Sequence, residues 1–139
     1  MKKLLPLSLA LLAGLVFAVS SFAVANKTYT VSMNGKQETP KGDPNGKGTA
    51  KLTFEPGKGK LCFNLTWTGI DKPVASHIHK GKKGVAGPVV IPIFAGTPKH
   101  KGCVPASKSL IGKIIKNPAG YYVNIHTAKF PGGALRGQL

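Results

Sequence analysis

A strict alternation of apolar and polar residues in short segments constrains the fold of this chain more than any other feature. The clearest case is "KLCFNLTW", residues 60–67, whose apolar positions are Leu61, Phe63, Leu65 and Trp67. The segments "KTYTVSM" (27–33) and "TAKLTF" (49–54) have the same period. A period of two residues is typical of a β-strand with one buried face. The chain is therefore predicted to be all-β.

Four more segments are predicted to be strands, namely 74–79, 88–94, 120–127 and 134–139, and turn-rich pieces at 40–48 and 55–59 separate the early strands. One segment departs from the alternation. "SKSLIGKIIKNP" places Leu110, Ile111, Ile114 and Ile115 at helical spacing. Ser107 is a candidate N-cap and Pro118 a stop for this helix. We expect one short helix near 107–117.

The first 25 residues are predicted to be a signal peptide. Lys2 and Lys3 precede an apolar stretch, and Ala23-Val24-Ala25 fits a cleavage site for small residues. Removing residues 1–25 from 139 leaves 114, which fits one domain at 26–139. No second long apolar stretch follows, so we expect no transmembrane segment in the mature chain. The predicted location is outside the cytoplasm, either periplasmic or extracellular.

The chain has two cysteines, Cys62 and Cys103, and both lie in the exported part. An even number of cysteines in an oxidising compartment predicts one disulfide bond. Closing a loop of about 40 residues would stabilise the fold by roughly 3–4 kcal/mol. A pair of thiolate metal ligands is the alternative.

The charge balance is strongly basic. There are 20 Lys and Arg residues against four acidic residues, and loss of Lys2 and Lys3 leaves eighteen against four, a net charge of +14. This charge favours anionic partners such as acidic envelope polymers, although scattered lysines are also typical of a solvated surface. Arg136 is the only arginine, and aromatic residues are not interleaved with the lysines, so no specific nucleic-acid binding is expected.

Three histidines are predicted to meet on one face of the sheet. In "VASHIHK" Ile78 should face the core, which turns His77 and His79 together to the opposite side. In "GYYVNIHT" and "GALRGQL" the same alternation groups a second set of polar residues, which should point outward: Tyr122, Asn124, His126, Arg136 and Gln138. If these strands are neighbours, all seven side chains form one polar patch. His100 is predicted to lie elsewhere, in a lysine-rich loop.

Two long motifs resemble the CHRD domain, a module named for chordin and found in many exported bacterial proteins. They are "ASHIHKGKKGVAGPVV" (75–90) and "YYVNIHTAKFPGGALRGQL" (121–139), and "GKQETP" (35–40) is similar to the opening motif of the family. Ala134 stands where the family often has an acidic residue, and only some members have the cysteine pair. The resemblance implies an immunoglobulin-like antiparallel β-sandwich or barrel, and it implies little about activity.

Two functions are consistent with these residues. The first is a copper or zinc site made by His77, His79 and His126, because a His-x-His strand and a neighbouring histidine can supply three imidazole ligands. Arg136, which would bring a positive charge towards the ion, argues against it. The second is a non-catalytic module that binds envelope or matrix proteins or anionic polymers, with the histidines in a structural hydrogen-bond network.

An enzyme is not expected. The four acidic residues lie in separate, mostly turn-like segments, which does not favour a pair of catalytic carboxylates. Ser76 adjoins His77, but neighbouring residues of a strand point to opposite faces, so the two do not form a nucleophile and its base.

Overall fold

The computed structural model describes residues 24–139. The predicted signal peptide falls almost entirely on residues 1–23, which lie outside the described part. Within the described residues, no helix is long and apolar enough to cross a membrane.

Eight antiparallel strands and one α-helix form an all-β domain, as predicted. They are β1 Lys27–Asn34, β2 Lys47–Glu55, β3 Lys60–Thr68, β4 Pro73–Lys80, β5 Val89–Ala95, β6 Lys101–Pro105, α1 Lys108–Lys116, β7 Tyr121–Thr127 and β8 Leu135–Gln138. Two 3-10 helices, Gly35–Gln37 and Pro118–Gly120, precede β2 and β7. The strand order is β5-β4-β7-β8-β1-β2-β3-β6. Contacts between the edge strands β5 and β6 nearly close the sheet into a barrel.

The alternating segments bury one face, as their period predicts. In β2 and β3 the buried apolar side chains are Ala50, Leu52, Phe54, Leu61, Phe63 and Leu65, and each is at most 5% exposed. Strand β7 is different, because all seven of its residues are buried. Its inner face packs in the core, and its outer face, which carries the predicted polar patch, is covered by loops. Strand β7 is therefore buried on both of its faces.

The helix lies where its spacing predicts. The Ser107 hydroxyl accepts a hydrogen bond from the Leu110 amide at 3.2 Å, which caps the first turn. Ile111 and Ile114 are fully buried, so the apolar face of α1 closes one side of the core. Pro118 follows the last turn and begins the 3-10 helix that leads into β7.

One strand was absent from the sequence prediction. Strand β6 ("KGCVP") is exposed at most of its positions, so it lacks the alternation that marks the other strands. It pairs with β3, and Cys103 lies directly opposite Cys62. These two residues form the predicted disulfide bond. The alternative of two thiolate ligands is therefore wrong.

Candidate functional site

Strands β4 and β7 are neighbours, and their register brings the three predicted histidines together. His77 lies opposite Asn124, and Ala75 lies opposite His126. Ile78 is fully buried in the core, so His77 and His79 share the other face. One ring nitrogen from each of His77, His79 and His126 lies within 4.8 Å of the other two. The structure therefore confirms the convergence that the alternation predicts.

The polar patch lies on the outward face of the strands, as predicted, but most of its side chains are buried there. Arg136 and Asn124 are each 1% exposed and His79 is 8% exposed. The loop 81–88 between β4 and β5 folds across the patch, where the Gly87 amide donates to the Tyr122 hydroxyl at 3.1 Å. The alternation gave the correct face of each strand, but that face lies under a loop.

The ring of His126 turns its unprotonated nitrogen, Nε2, towards the other two histidines. Its Nδ1–H donates to the Pro131 carbonyl oxygen at 2.9 Å, which fixes the proton on Nδ1 and leaves Nε2 unprotonated in the neutral ring. The Nε2 atom lies 3.1 Å from Nδ1 of His77. His77 therefore donates this bond and His126 accepts it.

The ring of His79 is also fixed by a hydrogen bond from Nδ1–H to a backbone carbonyl group. Its Nδ1–H donates to the Gly87 carbonyl oxygen at 2.8 Å, and its ring stacks on Tyr122 with the centroids 4.8 Å apart. Its Nε2 atom lies 3.1 Å from Oδ1 of Asn124. Both His79 and His126 therefore use Nδ1–H on a backbone carbonyl and turn Nε2 towards the polar patch.

The spacing of the nitrogens is close to what one metal ion requires. Two nitrogens that each lie about 2.0–2.1 Å from a tetrahedral ion are about 3.3 Å apart. The His77–His126 pair already lies at 3.1 Å. His79 would have to turn its Nε2 atom from Asn124 towards the other two rings.

Burial keeps two of the imidazoles neutral at pH 7. Burial, followed by the charges of His126 and His79, lowers the pKa of His77 to about 4. Burial also lowers the pKa of His126, against the opposing effect of its bond to Pro131. Neutral imidazoles can bind a cation without first losing a proton.

Arg136 is directed towards the covering loop. Its guanidinium donates to the carbonyl oxygens of Val85 and Lys82 and to Oε1 of Gln138, each at 2.9 Å. It also stacks over the Tyr122 ring, with Cζ 3.4 Å from the centroid. Its bonds therefore hold the loop and contact no histidine, which weakens the sequence-based argument against a metal.

The side chain of Gln138 forms structural hydrogen bonds at the edge of the patch. Its Nε2 group donates to the Gly81 carbonyl oxygen at 3.0 Å and to the Tyr121 carbonyl oxygen at 2.6 Å. These bonds tie the start of the covering loop to β7 and β8. Tyr122, Asn124, Arg136 and Gln138 thus surround the histidines and support them.

Sequence reasoning missed Glu38 as part of this region. It is 5% exposed, and the side chain of Asn124 and the charge of Arg136 both act on its carboxyl group. Burial outweighs both and raises the pKa of Glu38 to about 7. The "GKQETP" motif was the one indication of its importance, since nothing in the local pattern predicts that this turn packs on β7.

His100 lies outside the cluster, as predicted, but it is not a free loop residue. Its Nδ1 atom lies 2.9 Å from the Leu65 carbonyl oxygen, and its ring stacks on Trp67 with the centroids 3.9 Å apart. It therefore has a structural role on β3, away from the patch.

The fold and the site define an all-β domain whose central strands carry a covered histidine cluster. The family model of the CHRD domain matches residues 29–139, so the chain belongs to the CHRD-domain family. No curated protein and no solved structure gives a significant match.

Proposed function

We propose that the domain binds one divalent transition-metal ion, Cu(II) or Zn(II), through His77, His79 and His126. The observation that carries the proposal is the convergence of three imidazole nitrogens within 4.8 Å of one another. Imidazole ligands suit copper and zinc, and three histidines are a known ligand set for zinc.

The orientation of two of the rings is the one that metal-binding histidines usually have. Histidines that bind metals usually donate their second ring nitrogen to a carboxylate, a backbone carbonyl or water, which fixes the tautomer. His79 and His126 both do this, through the carbonyl oxygens of Gly87 and Pro131. The two Nε2 atoms lie 3.1 Å from Nδ1 of His77 and from Oδ1 of Asn124, and a bound metal would replace these hydrogen bonds.

Metal titration of the purified domain tests this proposal. Isothermal titration with Zn(II) and with Cu(II) should give one site, and His77→Ala and His126→Ala should each weaken binding by orders of magnitude. His100→Ala is the matched control, because it removes a histidine with structural contacts outside the cluster. Equal affinities for all four proteins would refute the site. Binding should also raise the melting temperature of the wild type, since a ligand of the native state stabilises it.

A second candidate function is supported by the distribution of charge. Three of the four acidic residues are buried: Glu38 at 5%, Asp43 at 7% and Glu55 at 9% exposure. Only Asp71 is an exposed acidic residue, against the seventeen lysines of 26–139. Among the described residues only Lys58 and Lys60 are paired with a carboxylate. We propose that this surface binds anionic envelope or matrix components.

Salt dependence separates the two functions. Binding to an anionic polymer such as heparin should weaken steeply as NaCl rises, because exposed charges are screened within about 8 Å at physiological ionic strength. Metal uptake by the covered histidines should change little over the same range. Polymer binding that is insensitive to salt would contradict the electrostatic interpretation.

We also propose that the protein is exported and has no catalytic activity. The disulfide bond supports export, since such bonds persist mainly in oxidising compartments. Mass spectrometry of the protein isolated from its cells tests this. The expected mature N-terminus is near residue 26, and two free thiols would contradict it.

A further inference from the structure

A cleft at one end of the domain is lined by lysines that have no carboxylate partner. Its volume is about 440 Å³, and it lies between the last turn of α1, the end of β4 and the start of β7. The residues that line it are Lys80, Lys113, Lys116, Asn117 and Tyr121. None of them is acidic, and among residues 24–139 no salt bridge involves the three lysines. Three positively charged side chains therefore share one cleft without a counter-charge from the described protein.

The helix accounts for two of these lysines but not for the third. The carbonyl groups in the last turn of a helix carry partial negative charge, which favours cations such as Lys113 and Lys116 there. Lys80 is the last residue of β4 and lies opposite Tyr121 in the sheet. It brings a third positive charge from a separate element. Because like charges repel, this arrangement is unfavourable unless an anion lies between them.

Hydrogen bonds fix the two sides of the cleft relative to each other. The Gly81 amide, directly after Lys80, donates to the Gly120 carbonyl oxygen at 2.8 Å. The Asn117 amide donates to the Lys113 carbonyl oxygen at 3.1 Å and so completes the end of the helix. The buried apolar face of α1 anchors the helix in the core. The backbone around the cleft is thus in place before a ligand binds, which lowers the entropic cost of binding.

The volume and the charge of the cleft define the kind of ligand that it fits. Small-molecule sites have volumes of about 300–1,000 Å³, so the cleft can hold a charged group together with part of the molecule that carries it. A cleft lined by charges of one sign focuses the electric field and attracts the opposite charge. Lysine side chains offer only hydrogen-bond donors. A phosphate or sulfate ester presents three terminal oxygens, one for each lysine, whereas a carboxylate presents two.

We propose that Lys80, Lys113 and Lys116 form a binding site for the phosphate or sulfate ester group of an anionic polysaccharide. This inference rests on the second proposed function, the binding of anionic envelope or matrix components, and assigns it to one place on the surface. Asn117 adds an exposed side-chain amide that can bond to sugar hydroxyl groups. The site is separate from the histidine cluster, because Lys80 and His79 are adjacent on β4 and point to opposite faces.

Two triple variants that each remove three positive charges test the site. The cleft variant replaces its three lysines by glutamine: Lys80→Gln, Lys113→Gln and Lys116→Gln. The control variant replaces three exposed lysines where β4 and β6 begin, at the other end of the sheet: Lys72→Gln, Lys99→Gln and Lys101→Gln. Circular dichroism should show that both variants are folded, because all six side chains are exposed.

Affinity is measured with dextran sulfate, dextran phosphate and carboxymethyl dextran of equal charge density at physiological ionic strength. The wild type should bind the two esters more tightly than the carboxylate polymer. The cleft variant should bind the esters about 10–100-fold more weakly, because one exposed ion pair contributes up to about fivefold to affinity and three pairs multiply. The control variant should lose less than about threefold, since charges distant from the bound group are screened.

The outcomes separate this inference from the function on which it rests. Equal losses in the two variants would leave the electrostatic function standing and overturn the site. Carboxymethyl dextran bound as tightly as the esters would overturn the ligand class. If the wild type binds none of the polymers, the second proposed function and this inference both fail.

NMR of the wild type gives a test that needs no substitution. Addition of glucose 6-phosphate should shift the backbone amide signals of Gly81, Asn117 and Gly120 before those of other residues, because these amides lie around the cleft. Shifts centred instead on the end of the sheet that carries Lys72 and Lys101 would overturn the site.

Discussion

Replacement of Arg136 tests whether one buried side chain holds the covering loop over the site. Arg136→Met keeps an unbranched side chain of similar length but removes three hydrogen bonds, two of them to the loop carbonyls of Lys82 and Val85. Hydrogen bonds from a charged donor contribute about 1.5–3 kcal/mol each. Part of the stability lost with these hydrogen bonds is offset, because the variant no longer has to desolvate a buried cation.

Because the loop is exposed, the expected loss in the free energy of unfolding is smaller still. Lys82 and Val85 are exposed, so their carbonyl groups can turn to water once the guanidinium is gone. We therefore expect Arg136→Met to lower the free energy of unfolding by about 2–4 kcal/mol, the range of a broken buried network. The loss should be concentrated in the loop. Hydrogen exchange of the Gly87 amide, which donates to Tyr122, should accelerate more than exchange of the core amides.

Urea denaturation of metal-free protein measures the global effect. Lys82→Met is the matched control, because it removes one positive charge from the same region and keeps the carbonyl group that Arg136 contacts. It should change the free energy of unfolding by less than about 0.5 kcal/mol, as surface substitutions usually do. If Arg136→Met also stays within that limit and Gly87 remains protected, the loop is held by other contacts and our reasoning is wrong.

Three further predictions concern the rest of the fold. Replacing both Cys62 and Cys103 by Ala should lower the free energy of unfolding by about 4 kcal/mol in the chain-entropy model, given their separation of 41 residues; a loss below 1 kcal/mol in urea denaturation would contradict that estimate. Gly133→Ala should lower the melting temperature clearly, because Gly133 has φ of 134° and lies against a carboxylate, whereas Gly132→Ala meets open space; equal melting temperatures would refute this. Because His77 has a pKa of about 4 when folded and about 6.5 when unfolded, the unfolded state binds more protons between these values. Stability of the metal-free protein should therefore fall as the pH drops from 6.5 towards 4, and His77→Gln should make this loss shallower; an unchanged pH profile would show that His77 does not cause it.

The sequence predicted the strands that have one buried face and one exposed face, and it predicted which face the histidines share. Both predictions follow from the two-residue period of the side chains along a strand. This period is a local property of segments 60–67 and 74–80 and does not depend on distant residues. Strand β6 was missed because its exposed positions show no alternation. It is held by its pairing with β3 and by the disulfide, and such partners cannot be read from a five-residue segment.

The covering of the site could not be predicted, because it depends on contacts between distant segments. Arg136 was expected to point outward from the sheet, and it does, but there it bonds to carbonyl groups more than 50 positions earlier in the chain. Glu38 was assigned to a turn for the same reason, since only the folded chain brings that turn against Asn124. The alternation fixes the direction of a side chain relative to its strand and does not determine what packs over it.

Anomalous diffraction from crystals grown with one equivalent of Zn(II) or Cu(II) tests the central claim most directly. We predict a single strong peak at the metal absorption edge, bonded to ring nitrogens of His77, His79 and His126 at about 2.0–2.1 Å. The Nδ1 atoms of His79 and His126 should keep their bonds to Gly87 and Pro131. No peak at the cluster, or a peak at His100 in its place, would contradict the account.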